Sequence, residues 1–166
     1  MFNPSRDQVR QFFCTTWQKH QQGLPLEGAE IAAGELCARH PEYHVWLENP
    51  QRALEQEWNP DTGQMNPFLH LSLHLAVGEQ VAIDQPPGIR EAFAALSSRM
   101  PLHDAEHVIL ECLGETIWAA QRQGGGMDAA AYINRVRRAA ALSDDLTGVR
   151  ELSEAEASES FTASRT

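Results

Sequence analysis

The chain is poor in cysteine, and the few it has form no working arrangement. Cys14, Cys37 and Cys112 are scattered, with no C-x-x-C spacing. An odd, dispersed set reads as free thiols in a reducing compartment, not as a disulfide frame or a thiolate metal site. None stands in an evident basic pocket, so a nucleophilic cysteine has no support. Long apolar runs are also missing: nothing approaches the roughly 18 residues of a membrane span. The opening MFNPSRDQVRQFF lacks the apolar core of a signal peptide. A cytoplasmic, bacterial-type protein is the simplest expectation. Positive charge is scarce, and the formal net charge is −10. Arg135, Arg137 and Arg138 make the one dense basic cluster, and a solvated helix face accounts for it. Nucleic acid is therefore not an expected partner, since phosphate binding needs clustered Lys and Arg, and a membrane is not expected either.

Catalytic signatures are absent in the same way. There is no G-x-S-x-G and no Gly-rich phosphate loop. Gly124, Gly125 and Gly126 are not followed by Lys-Ser or Lys-Thr, and they read as a linker. The zinc-protease motif needs Glu directly after its first His. Here Leu71 follows His70 and Asp104 follows His103.

No alternating β-branched run of useful length occurs, and helical periodicity fills the space. The fold class expected is all-α, a bundle of about five to seven helices. The 166 residues suit a single helical domain over 1–142, followed by a disordered acidic tail over 143–166. With 42% hydrophobic and 22% charged residues the composition is ordinary for a globular protein, and a domain of this size builds a core without staples. Asn3 and Pro4 predict the start of a first helix that ends near Gly23. Further helices are expected over about 26–40, 50–58, 67–84, 89–99, 102–123 and 128–142. Asn66-Pro67 reads as a cap with a first-turn proline, and 59–66 as a loop.

What the chain does have is histidine in pairs. His40 and His44, His70 and His74, and His103 and His107 each stand four residues apart; of the seven histidines only His20 is single. On a helix that spacing sets two imidazoles on one face, one turn apart, ready for a shared metal ion. Glu111 continues the third pair by another four residues. Around the helix opening at Pro67, Leu69, Leu71, Leu73, Leu75, Val77, Val81 and Ile83 point in nearly every direction, which predicts a central position. His70 and His74 share a face with Val77 and Val81 and are expected to be buried, where they need partners. The helix near Leu102 has one broad apolar face of Ala105, Ile109, Cys112, Leu113, Thr116 and Ile117. His103, His107 and Glu111 lie on the other side, with Gly114 and Trp118. A solvated polar stripe is the plain reading of that side. The glycine and the tryptophan argue instead for a packed face. The first pair is the weakest, because Pro41 biases His40 away from helical dihedrals; packing and hydrogen bonding are expected of it.

The candidate metal ligands are therefore His70, His74, His103, His107 and Glu111. Imidazoles suit Zn, Fe, Cu or Ni, and with the carboxylate the cofactor expected is a transition metal such as Zn, Fe or Mn. A second reading is a non-enzymatic interaction or oligomeric scaffold module with a structural histidine cluster. Trp17, Trp46, Trp58 and Trp118 and the acidic tail suit a homo-oligomer or a protein partner.

Four stretches, MFNPSRDQVRQFF, HPEYHVWLENP, NPFLHLSLHLAVGEQVAIDQPPGIR and HDAEHVILECLGETIWAAQR, together resemble a small bacterial family catalogued as a domain of unknown function, number 1841. The likeness runs over about residues 1–132 and includes all three histidine pairs. It implies a stand-alone cytoplasmic protein and carries no established activity. His70 and His74 match the histidines of its NPFLH segment; His103, His107 and Glu111 match those of its HDAEH segment.

Overall fold

The computed structural model describes residues 4–141, and among them there are eight α-helices and no strand. The expected tail, 143–166, lies outside the described residues. Helices α1 (Arg6–Gln21), α2 (Ala29–Arg39), α3 (His44–Leu47), α4 (Pro50–Glu55), α5 (Pro67–Ile83), α6 (Ile89–Ser97) and α7 (Leu102–Gln123) follow in order. A last helix, α8, covers 129–141. The described residues fall into two compact units, which part between Ala76 and Val77, inside α5.

In the first unit α1 packs on α2, α3 and α4. Phe13, Cys14, Trp17, Ala33, Leu36, Cys37, Leu47, Ala53, Phe68 and Leu71 form its core. The start of α1 corrects the sequence expectation. Its cap is Ser5, not Asn3, which lies outside the described residues. Ser5 Oγ accepts from the Gln8 amide, and Gln8 Oε1 accepts from the Ser5 amide. This reciprocal capping box satisfies two donors, which a single Asn ahead of Pro4 does not. At the other end Gly23, with φ +67°, closes a Schellman turn: its amide donates to His20 O and the Leu24 amide to Lys19 O. Gly34 permits α1 and α2 to approach, since a Cβ there would stand 2.8 Å from Leu26 Cδ1 and 3.7 Å from Thr16 Cγ2.

The second unit packs α6 against α7. Ile89, Leu96, Ala105, Ile109, Leu113, Tyr132 and Val136 are buried in it. A reciprocal clasp makes the α5–α6 turn. Asp84, at φ +53°, accepts from the amides of Gly88 and Arg90, while Arg90 donates back to the carbonyls of Val81 and Ala82. Asp128 caps α8 through the amides of Ala130 and Ala131. Helix α7 begins and ends where the sequence places it. Helix α5 is less enclosed than its all-round apolar pattern predicts, because Leu69 and Ile83 are more than half exposed. Among the described residues no helix is long and apolar enough to cross a membrane.

Candidate metal centre

Helix α2 stops at Arg39 because Pro41 follows His40. The proline lacks an amide hydrogen and disfavours helical dihedrals in the residue before it. His40 therefore adopts φ −119°, ψ 66°, and Pro41 opens a 3-10 turn over Pro41–Tyr43. The His40 ring folds inward and is 2% exposed. Its Nδ1–H donates to the Leu36 carbonyl at 2.7 Å. A carbonyl only accepts, so this bond fixes a proton on Nδ1 and makes Nε2 the nitrogen that a metal ion would take. Metal-ligating histidines are held in this way, the second nitrogen bonded to a carbonyl.

Two further imidazoles meet this one. His70 and His74 stand one turn apart on α5, with ring centroids 4.8 Å apart and planes at 70°. The His40 ring lies 5.1 Å from His70 and 4.9 Å from His74. A nitrogen of each lies within 4.8 Å of the others. In a tetrahedral site with bonds of about 2.0–2.1 Å, ligand nitrogens stand about 3.3 Å apart. His74 is 2% exposed and His70 is half-buried. Tyr43 walls one side, its ring stacked parallel to that of His40 and edge-on to His70. Burial pushes its phenol above the ordinary value, so it stays neutral near pH 7.

From the sequence the His40–His44 pair is expected to pack and hydrogen-bond, and His44 does so: its Nε2 meets the Cys37 carbonyl at 2.7 Å and its ring stacks on Trp17 at 4.1 Å. His40 instead joins the pair on α5. The signal that separates the two was Pro41, which turns His40 off the helix axis. Which way it turns depends on α5, nearly thirty residues later in the chain.

On α7, His103 and His107 are half-buried and their rings lie 4.3 Å apart. Glu111 is exposed and lines a groove of about 500 Å³ with Arg135 and Arg138. Among the described residues, the set of side chains able to share an ion includes neither His103 nor Glu111. A Cβ at Gly114 would touch nothing within 4 Å, and Trp118 is 59% exposed with Arg122 over its ring.

The thiols stay out of this chemistry. All three are buried and free, and burial pushes Cys14 up to about 11 and Cys37 up to about 12. A thiol that ionises only in strong alkali is neither nucleophile nor ready ligand.

Compared with known proteins, the family model described as Domain of unknown function (DUF1841) matches residues 5–138 of the chain. No curated protein and no solved structure matches it.

Proposed function

The chain belongs to the DUF1841 family, and we propose that it binds a transition-metal ion through His40, His70 and His74. The observation that carries this reading is the approach of His40 to His70 and His74. Three imidazoles gather in a mostly buried place, one of them already oriented by a carbonyl.

The donor set favours borderline metals. Neutral imidazoles suit Zn, Fe, Cu and Ni, whereas Mn prefers carboxylate oxygen. With Glu111 exposed beside Arg135 and Arg138, Zn or Fe is the better proposal than Mn. Three imidazoles leave the fourth position of a tetrahedral shell open, as catalytic zinc sites do, whereas a structural site fills it.

The test is metal analysis of untagged protein purified without chelators, followed by dialysis against Zn(II). The reading expects about one ion per chain, lost in H40A and H74A. Protein that carries no transition metal and takes up none on addition sinks it.

A second proposal is a protein-interaction role. An apolar groove of about 610 Å³ lies among Val9, Phe12, Ala29 and Leu75, and Trp118 is exposed. Of the four tryptophans, however, Trp17 is buried, and Trp46 and Trp58 pack on each other in the first unit's core. A monomer by light scattering with no stoichiometric partner in a pull-down removes this proposal.

A further inference from the structure

Tyr43 is an aromatic side chain in contact with two of the proposed ligands. It sits three residues after His40, at the end of the turn Pro41–Tyr43, and its amide donates to the His40 carbonyl at 3.0 Å. A 3-10 turn has three residues per turn, so side chains at i and i+3 eclipse. Although His40 is the non-helical cap of this turn, the phenol ring lies within 3° of parallel to its imidazole, with centroids 5.4 Å apart. The same ring meets His70 edge-on, at 72° and 5.7 Å. Tyr43 thus touches two imidazoles from two different elements, and it does so with its ring.

Resting on the metal-binding reading above, we infer that Tyr43 is a positioning residue for the metal centre, acting through its ring and not through its hydroxyl. Parallel packing against His40 and edge packing against His70 restrict the rotations that would let the two nitrogens diverge. Aromatic pairs prefer these two arrangements over a face-to-face sandwich. Pro41 is part of the device, because the turn it opens carries Tyr43 over His40. The residue that looks like a fault in the first histidine pair therefore supplies the ring that holds half of that pair in place.

The experiment measures Zn(II) affinity of the full chain by competition with a chromophoric chelator, together with the visible spectrum of the Co(II) form. Y43F keeps the ring and is expected to bind within about twofold of wild type, with an unchanged Co(II) spectrum. Y43L keeps bulk but not the ring, and loses roughly ten- to a hundredfold in affinity, the range of outer-shell partners. P41G loosens the turn without touching the core and is expected to weaken binding in the same direction as Y43L. It also keeps the test open should Y43L fold poorly. Wild-type affinity and spectrum in both Y43L and P41G overturn the inference while leaving the metal site standing. A loss in Y43F equal to that in Y43L overturns it too, since the hydroxyl would then be the active part. If wild type binds no Zn(II), the metal reading itself fails and this inference with it.

Discussion

The imidazole of His40 stands 4.9 Å from that of His74, at 61° to it, although thirty-four positions separate them in the chain. One ring hangs from the end of α2 and the other projects from the second turn of α5. Both are 2% exposed. Replacing His74 with Leu removes one donor and keeps the volume, so the fold should survive. Zn(II) affinity should fall at least a hundredfold, given that even outer-shell partners are worth roughly ten- to a hundredfold. Competition titration of H74L checks it, and wild-type affinity in that variant would exclude His74 as a ligand.

His44 provides the contrast. It belongs to the same sequence pair as His40 but bonds Cys37 O and stacks on Trp17. H44A should leave metal affinity unchanged while destabilising the first unit by about 1–2 kcal/mol, the order of one buried hydrogen bond with its packing. Urea unfolding and metal titration of one preparation measure both. A variant that loses metal and keeps its stability would reverse the assignments of the pair.

Arg10 is a buried cation that holds α4 in place. It is 3% exposed, donates through Nη1 to the carbonyls of Ala53 (2.9 Å) and Gln56 (2.8 Å), and lies over the Trp58 ring. R10A leaves the carbonyls at the end of α4 unmet and should cost about 3–5 kcal/mol, the range for breaking a buried charged contact. R10K should recover only part, because an ammonium lacks the planar fork. Chemical denaturation checks the order, and an R10A protein as stable as wild type would contradict it.

The buried thiols predict a pH dependence. Folding raises Cys14 from 9.0 to about 11 and Cys37 from 9.0 to about 12. A group whose pKa rises on folding contributes fully below its unfolded value and loses that contribution as pH climbs through the folded one. The thiol contribution should therefore be level below pH 9 and decline between about pH 9 and 12. In native protein at pH 8 neither thiol should react promptly with a disulfide reagent, and both should react in denaturant. Prompt native labelling of Cys14 or Cys37 would refute their burial.

Local rules carried the helices. Asn66-Pro67 opens α5, the spacing of Ala105, Ile109 and Leu113 runs through α7, and both elements stand where those signals place them. Local chemistry misled at α1, where Ser5 and Gln8 form a better cap than the Asn3-Pro4 pair suggests. Exposure proved harder to read. Trp118 and Leu69 look like core residues by type, yet each is more than half exposed. The site was half legible: the i,i+4 rule brings His70 and His74 to one face. No local rule could add His40, because its approach depends on how the first unit packs α2 and the Pro41 turn beside the start of α5. Glu111 fits the helical period of the HDAEH segment, but arginines from α8 share its groove.

X-ray absorption of the Zn(II) form of the untagged chain tests the central claim most directly. The account predicts a first shell with three imidazole nitrogens at about 2.0–2.1 Å, with the multiple-scattering signature of histidine reduced in H40A and H74A. A shell dominated by oxygen or sulfur, or one unchanged in those variants, would contradict it.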